Sequence, residues 1–309
     1  MVLGPTASGK TRLGVRLARE WRGEVVSADS RQVYRGLDIG SGKDLAEYTV
    51  GGETVPYHLI DVVGLDHEFS VFDYQKQFYG TFDSLQARGV LPVVVGGTAL
   101  YLEAVLRRYR MVETPENPQL RAELAEETDE ALAERLLRLK GRLHNVTDLE
   151  TRERTVRAIE IAEYSATHEP EPAPDIRPLI LGTLWDRAVL RQRIRVRLVD
   201  RLDHGLIEEV ENLHAGGVSW ERLEQLGLEY RYVAEYLQRK IRNRNDLVQK
   251  LSSAIVQFAR SQDKWFRRMQ RQGAEIHWIP QADFDAATAV AEPILSRSGY
   301  KRIEARDGR

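Results

Sequence analysis

The stretch GPTASGKT, residues 4–11, does more than any other to decide the fold of this chain. Its G-x4-G-K-T spacing matches the P-loop, in which bends that glycine permits point backbone N–H groups at phosphate oxygens. In such a loop Lys10 neutralises the outermost phosphate, and the Thr11 hydroxyl helps to hold Mg²⁺. The stretch therefore predicts a phosphate-binding turn near the beginning of the sequence.

The residues around the loop agree with this interpretation. RLGVRLARE, residues 12–20, places Leu13, Leu17 and Ala18 at helical spacing, as expected for the helix behind a P-loop. Three residues precede the loop, whereas the buried strand expected there usually has about five. We therefore expect either a very short first strand or further residues before Met1.

Further apolar runs predict a parallel sheet. GEVVSADS (23–30), YHLIDVV (57–63) and VLPVVVGG (90–97) each look like a strand, and amphipathic stretches separate them. Strands that alternate with helices after a P-loop indicate a parallel sheet wrapped by helices. RPLILGTLW, residues 177–185, is another strand-like run, and helical patterns follow it from 187 to 271.

A helical segment of different composition interrupts this pattern. Between 113 and 135 it has eight acidic and two basic residues, and it ends in the proline-rich THEPEPAPD, residues 167–175. We predict an α/β fold, a P-loop parallel sheet flanked by helices, with a smaller helical insertion domain. The predicted boundaries are 1–112 for the first part of the core, 113–176 for the insertion, and 177–309 for the second part with the C-terminal helices.

The composition excludes several classes of protein. Of the 309 residues, 42% are hydrophobic and 30% are charged, which indicates a globular chain of one or two domains. No apolar run approaches the roughly 18 residues of a membrane span, and MVLGPT lacks the features of a signal peptide. The absence of cysteine excludes disulfides, thiolate catalysis and cysteine zinc sites. We therefore expect a cytoplasmic protein.

The formal net charge of −2 gives no global sign of nucleic-acid binding, but two segments are basic. RKIRNRNDLVQK (239–250) and ARSQDKWFRRMQR (259–271) each carry five basic residues and one acidic residue. A solvated helix face is the commoner cause of such a run, whereas Trp265 and Phe266 would suit exposed bases beside a phosphate backbone. Composition alone leaves both interpretations open.

Two acidic residues follow strand-like runs. Asp29 lies at the edge where the carboxyl ends of parallel strands line a ligand crevice, so it can act as a Mg²⁺ ligand or as a general base. VVVGGTALYL, residues 93–102, ends its strand in glycines and a threonine instead of an acid. Asp61 could supply the missing carboxylate, or it could cap a loop.

The combination of GPTASGKT, DSRQVYRGLDIG and VVGGTALYL resembles the tRNA dimethylallyltransferase (tRNA isopentenyltransferase) family, in its bacterial-like form without a zinc finger. The resemblance continues in order through RTVRAIEI, GLIEEVENL, LGLEYRYVAEYLQ and QFARSQDKWFRR, so it covers most of the chain. It implies an enzyme that transfers a dimethylallyl group from dimethylallyl diphosphate to the exocyclic amine of adenine at tRNA position 37, beside the anticodon. In that case the loop holds the diphosphate of an isoprenoid instead of that of a nucleotide.

The resemblance also implies roles for individual residues. Asp29 matches the acid that accepts a proton from the adenine amine, Thr98 helps to position it, and Lys10 acts with them in catalysis. Thr11 is the implied metal ligand, with Mg²⁺ as the cofactor. The implied diphosphate-binding residues are Gly4, Thr6, Ala7, Ser8, Gly9, Lys10, Thr11 and Arg197. The implied tRNA-binding residues are Ser30, Gln32, Lys43, Arg260, Arg267 and Arg268.

The chain departs from the family pattern mainly where tRNA would be bound. Residues 41–44, SGKD, stand in place of T-A-K-P, and Leu228 replaces a usual tyrosine. One alternative is a small-molecule P-loop kinase, an ATP-binding enzyme in which Asp29 activates a substrate hydroxyl. Others are a prenyltransferase that acts on a free adenine nucleotide and a non-catalytic RNA-binding relative. The partners expected from the resemblance are the tRNA anticodon loop and dimethylallyl diphosphate, with no membrane, and we expect a monomer.

Overall fold

The structure, a computed structural model, describes residues 1–141 and 147–303. Its helices are α1 (Lys10–Glu20), α2 (Val71–Ala87), α3 (Ala99–Leu106), α4 (Pro118–Ala125), α5 (Asp129–Lys140), α6 (Arg152–Ser165), α7 (Arg187–Asp203), α8 (Leu206–Ala215), α9 (Trp220–Gln225), α10 (Leu228–Leu237), α11 (Arg244–Arg271) and α12 (Phe284–Arg297). Its strands are β1 (Val2–Leu3), β2 (Glu24–Ala28), β3 (Thr49–Val50), β4 (Glu53–Thr54), β5 (Tyr57–His58), β6 (Pro92–Gly96), β7 (Ile180–Leu184) and β8 (Ile276–Pro280). None of these helices is long and apolar enough to cross a membrane.

Within the described residues, six strands form one parallel sheet in the order β5-β2-β6-β1-β7-β8. The very short β1 lies inside this sheet, where Val2 pairs with Val95 on one side and with Leu181 on the other. β3 and β4 form a separate antiparallel pair. The predicted α/β fold with a parallel sheet is confirmed.

Side chains of the strands alternate between two hydrophobic cores, one on each face of the sheet. Val26 and Val94 contribute to the core that also takes side chains from α2, α3 and the helices α7 to α11. Val25 and Val95 contribute to the other core, which α1 and α12 cover. Because helices cover both faces, the strands can be apolar throughout, which is why they read as continuous apolar runs in the sequence.

The carboxyl ends of three neighbouring strands bring the sequence motifs together. β1 leads into the turn 4–9, β2 leads into Asp29, and β6 leads into Gly97 and Thr98. The backbone N–H of Thr98 donates to Ala28 O at 3.1 Å, which joins the ends of β6 and β2. Parallel α/β sheets bind their ligands at this edge.

The chain divides into two compact units, one of residues 1–107 and 175–309 and the other of residues 108–174. The first unit contains the sheet. The second packs α4, α5 and α6 around a small core of Leu120, Leu124, Leu132, Leu136, Ala158 and Ile159. Burial alone would raise the pKa of Glu160 in this unit, but hydrogen bonds from Arg121 and the Asn117 N–H lower it to about 2. The sequence predicts the insertion at 113–176, close to the bounds of this unit.

Candidate active site

Residues 4–9 form a tight turn between β1 and α1, and side chains of β7 and of the residue after it form hydrogen bonds with this turn. A Cβ atom at Gly4 would lie 1.9 Å from Thr183 Oγ1, so only glycine fits there. Thr183 Oγ1 donates to Ser8 Oγ at 2.8 Å, and Trp185 Nε1 donates to Ser8 O at 2.8 Å. The conformation of the turn is therefore fixed by β7 and the residues just after it.

α1 begins directly after this turn and has no side-chain cap. Gly9, the residue before the helix, has a φ of +82°, a conformation that glycine adopts without strain. The first backbone N–H groups of a helix have no partners inside it, and the positive end of the helix dipole lies beside them. An uncapped helix start that follows a glycine turn suits a phosphate group.

Two basic side chains at this turn, those of Lys10 and Arg197, are half-buried with incomplete charge compensation. Burial lowers the pKa of Lys10 to about 8, although the negative charge of Asp29 opposes the change. Burial, together with the neighbouring charge of Arg201, lowers the pKa of Arg197 to about 10. The Arg197 Nη2 atom donates to Thr6 Oγ1 at 2.7 Å, which places this guanidinium against the turn. A multivalent anion would relieve the excess of positive charge.

The predicted general base lies beside the predicted threonine. Asp29 Oδ1 accepts hydrogen bonds from the backbone N–H groups of Arg31 at 2.9 Å and Gln32 at 3.4 Å. Thr98 Oγ1 accepts one from the N–H of Ser30 at 2.9 Å. In the described part of the chain, Asp29 Oδ2 has no hydrogen-bond partner, so this oxygen can accept a proton from a ligand.

A cavity of about 570 Å³ connects these groups. Lys10, Thr11 and Arg197 line it at the phosphate turn, and Asp29 and Thr98 follow. The remaining wall includes the large apolar side chains of Leu100, Leu228, Ile255, Phe258 and Trp265. We call these five residues the apolar wall. The cavity therefore combines a cationic region, a carboxylate and a surface that suits a hydrocarbon chain or a planar base.

A second cavity, of about 450 Å³, also borders the phosphate turn. It shares Lys10, Thr11 and Arg197 with the first cavity, and it adds the acidic side chains of Asp44 and Glu47. Burial raises the pKa of Glu47, with the charge of Asp44 acting in the same direction. A ligand at the turn can therefore be in contact with two cavities of different character.

Two residues without a predicted role hold the walls of the larger cavity. Gln262 Oε1 accepts from the N–H of Thr6 at 2.9 Å, and Gln262 Nε2 donates to Gly97 O at 2.7 Å, so α11 is tied to the ends of β1 and β6. The carboxylate of Glu209 accepts from the N–H groups of residues 38–40 at 3.1, 2.6 and 3.1 Å, which holds the loop after Asp38. Gln262 and Glu209 lie in helices at positions that the sequence pattern does not distinguish from those of other polar residues, so the sequence alone does not indicate their roles.

Lys43, predicted to contact tRNA, lies inside the protein with 1% of its surface exposed. Its Nζ atom donates to Tyr34 O at 2.9 Å and to Asp38 Oδ1 at 2.6 Å, and it also contacts Asp61. Asp61, considered above as the missing strand-end carboxylate, is therefore paired with this lysine. Lys43 can affect tRNA through the loop that it supports, and not through a surface contact of its own.

Ser30 and Gln32, also predicted to contact tRNA, line the larger cavity. The amide of Gln32 is held at both ends, because Oε1 accepts from Ser27 Oγ at 2.9 Å and Nε2 donates to Gly42 O at 3.0 Å. Gln32 therefore fixes the shape of this region, whereas Ser30 adjoins Thr98.

The basic residues predicted on α11 differ in their surroundings. Arg260 is exposed, and it forms no ion pair within residues 1–141 and 147–303. Arg267 lies over the ring of Trp278 at 5.3 Å. Arg268 donates to the buried carboxylate of Glu103 at 2.9 Å, so it has a structural contact as well as a charge.

A P-loop-like turn, a carboxylate with one unpaired oxygen and an apolar wall around one cavity are typical of a P-loop α/β enzyme. Comparisons with known proteins then give its family. A family model described as "IPP transferase" matches residues 32–269, and one described as "Isopentenyl transferase" matches residues 1–55. The chain belongs to the IPP transferase family, which confirms the resemblance seen in its motifs.

Individual relatives agree with this assignment. The chain is 60% identical over 279 residues to tRNA dimethylallyltransferase 1 of Geotalea uraniireducens (strain Rf4), covering 90% of this chain and 91% of the relative. It is 57% identical over 290 residues to tRNA dimethylallyltransferase 2 of Trichlorobacter lovleyi, covering 93% of each. A crystal structure of the tRNA isopentenylpyrophosphate transferase of Bacillus halodurans matches with a TM-score of 0.66 and 29% identity, over 96% of this chain and 94% of that one.

Proposed function

We propose that this protein transfers the dimethylallyl group of dimethylallyl diphosphate to the exocyclic amine of adenine 37 in tRNA. Membership of the IPP transferase family and the names of the relatives support the reaction. The observation that carries the proposal is that Lys10, Asp29 and Thr98 line one cavity together with the apolar wall. This cavity offers a cationic region for a diphosphate, a carboxylate base for an amine, and an apolar surface for a hydrocarbon chain or a planar ring.

The buried cations support the departure of the diphosphate. When the allylic C–O bond breaks, its electron pair and a full negative charge move to the leaving group. Lys10, Arg197 and the first N–H groups of α1 surround the phosphate turn and stabilise that charge. Because Lys10 and Arg197 are half-buried and partly desolvated, their attraction for the leaving group is stronger than it would be in water.

Mg²⁺ fits the residues at the phosphate turn. The Thr11 hydroxyl lines the cavity at this turn, and Mg²⁺ usually takes one or two protein oxygens and fills its other positions with phosphate oxygens and water. Residues 1–141 and 147–303 contain no cluster of three acidic, histidine or cysteine side chains that could hold a metal alone. The diphosphate would therefore complete the coordination, and the ion would neutralise charge on its oxygens.

Asp29 acts on the acceptor amine. As the new N–C bond forms, the nitrogen gains positive charge and its proton becomes easy to remove, so a carboxylate suffices as the base. Asp29 Oδ2 is available for this proton, while the Ser30 N–H holds the Thr98 hydroxyl beside it. Phe258 and Trp265 of the apolar wall suit a base that has left the stack of the anticodon loop.

The surface of α11 supplies positive charge for the tRNA backbone. Arg260 and Lys264 are exposed, lie one helical turn apart, and have no ion-pair partner in the described ranges. Along α11 they lie between Phe258 and Trp265, which line the cavity. Unpaired basic side chains beside an apolar wall suit phosphates next to an extruded base.

We expect the protein to act as a monomer in the cytoplasm, which size-exclusion chromatography and cell fractionation can check.

A transfer assay tests the proposed function. The purified protein is incubated with dimethylallyl diphosphate, Mg²⁺ and an unmodified tRNA transcript, and the product is digested and located by mass spectrometry. We expect one dimethylallyl group on adenosine 37, and none on a matched transcript with guanosine at that position. Transfer to free adenine nucleotide but not to tRNA, or phosphorylation of a small molecule by ATP, would refute the proposal in favour of the alternatives.

A further inference from the structure

Three carboxylates line the larger cavity, those of Asp29, Glu224 and Glu229. Glu224 pairs with Lys240 at 2.8 Å, whereas the reaction described so far leaves Glu229 without a role. It lies in the first turn of α10 and lines the cavity with Asp29, Thr98 and Arg197. In the described residues its side chain forms no ion pair and no hydrogen bond with another side chain. An unpaired carboxylate away from bulk water is costly, so one that lines a cavity indicates a ligand that pairs with it.

The two arginines whose positive charges act on Glu229 already have other partners. Arg201 pairs with Asp44 at 3.1 Å, and Arg197 donates to Thr6 Oγ1 at 2.7 Å. Both attract the Glu229 carboxylate from a distance, but burial is the largest effect and raises its pKa. Glu229 is therefore neither paired with a cation nor fully hydrated.

The charges around Glu229 restrict the ligand. A diphosphate would be repelled by the carboxylate itself, and a free divalent cation would be repelled by Arg197 and Arg201. A neutral N–H donor that gains positive charge during the reaction meets neither objection. The amine of adenine is such a donor, because it has two N–H bonds and Asp29 deprotonates only one of them. The apolar wall provides a surface for the attached ring.

We propose that Glu229 accepts a hydrogen bond from the second N–H of the adenine amine while Asp29 takes the proton of the first. This inference rests on the proposed function. The N–C bond forms, the allylic C–O bond breaks, the electron pair leaves with the diphosphate, and one proton passes from nitrogen to Asp29. Glu229 gains no proton and keeps its hydrogen bond to the single N–H of the product. Its negative charge stabilises the cationic nitrogen in the transition state.

A carboxylate in this position also favours adenine over other bases. A base with a carbonyl oxygen at the equivalent ring position would place an acceptor against Glu229 and Asp29, with no hydrogen to share. Buried acceptors that lose their donors discriminate strongly between ligands. Glu229 therefore acts as a substrate-contacting group that both orients the amine and selects it.

Glu229→Gln tests the inference, because the amide keeps the shape of the side chain and removes its charge. The matched control is Glu211→Gln on α8, where the carboxylate is exposed and does not line the cavity. We expect Glu229→Gln to lower the single-turnover rate, at saturating donor and tRNA, by about 10- to 100-fold. Calorimetry should give a donor affinity within about twofold of that of the parent, which also shows that the variant is folded. The control should match the parent in both measurements.

Several results would overturn the inference. One is a rate for Glu229→Gln within about threefold of the parent rate. Another is a donor affinity that falls as much as the rate, because Glu229 would then serve only to orient Arg197. A defect that additional Mg²⁺ restores would assign the carboxylate to the metal instead. If the parent transfers no dimethylallyl group, the proposed function fails and this inference fails with it, whereas an active parent with an unaffected variant refutes the inference alone.

Discussion

Replacing Gln262 by methionine should detach the phosphate turn from α11. Methionine has a similar length, but it cannot accept from the Thr6 N–H or donate to Gly97 O, bonds of 2.9 and 2.7 Å in the structure. Gln262 is 6% exposed, so water does not readily replace these bonds. A buried polar group that loses its partner costs about 1–3 kcal/mol. The two groups together should lower the free energy of unfolding by about 2–6 kcal/mol, a large part of the roughly 5–15 kcal/mol typical of a folded protein.

Urea unfolding measures this loss, with Gln257→Met as the matched control. The Gln257 side chain is exposed on the same helix, so its replacement should change the free energy of unfolding by no more than about 0.5 kcal/mol. Calorimetry with dimethylallyl diphosphate should also show weaker binding to Gln262→Met, because Thr6 belongs to the phosphate turn. If the two variants unfold alike and bind the donor alike, Gln262 does not hold the turn and the reasoning is refuted.

Three further predictions concern the reaction and the tRNA. Asp29→Asn should lower the single-turnover rate by about 10²- to 10⁴-fold and leave the calorimetric donor affinity unchanged, since the amide cannot take the proton; a rate within about threefold of the parent contradicts this. Because burial lowers the pKa of Lys10 to about 8, the calorimetric donor affinity should fall as the pH rises through 8 and the lysine loses its charge. Lys10→Ala should bind the donor weakly at every pH and show no such fall. If the two proteins have equal pH profiles, Lys10 does not bind the donor. Replacing Arg260 and Lys264 by glutamate should weaken tRNA binding, flatten its salt dependence and leave the donor affinity unchanged. Arg268→Glu should also lower the melting temperature, because it loses the ion pair with the buried Glu103. If binding titrations give the salt dependence of the parent, the side chains of Arg260 and Lys264 contact only solvent and not tRNA.

The sequence was sufficient for five of the six strands of the sheet and for the centre of the candidate site, because these depend on local patterns, whereas the edge strand β8 was not predicted. The spacing of residues 4–11 specifies a phosphate turn, and the apolar runs around it specify buried parallel strands. The meeting of Asp29 with Thr98 then follows from topology, since the carboxyl ends of adjacent parallel strands lie at one edge.

The supporting residues could not be predicted in this way, because their roles depend on contacts distant in sequence. Gln262 and Glu229 occupy helices whose spacing does not distinguish a polar side chain that faces a cavity from one that faces solvent. A lysine in a glycine-containing loop is normally exposed. Lys43 is buried because Asp38 and Asp61 converge on it, and the second of these lies 18 residues away.

Two tryptophans lie where the two substrates are expected to bind, so their intrinsic fluorescence can report the binding of each substrate. Trp185 is bonded to the carbonyl of Ser8 in the phosphate turn, and the Trp265 indole belongs to the apolar wall, with its Nε1 bonded to Glu103 at 2.5 Å. Indole fluorescence responds to nearby charge and to stacking, so the donor should alter the emission of the first and the extruded base should quench the second. Variants that keep one of the two indoles would then reveal, by stopped-flow fluorescence, which substrate enters first, with no dye attached to either.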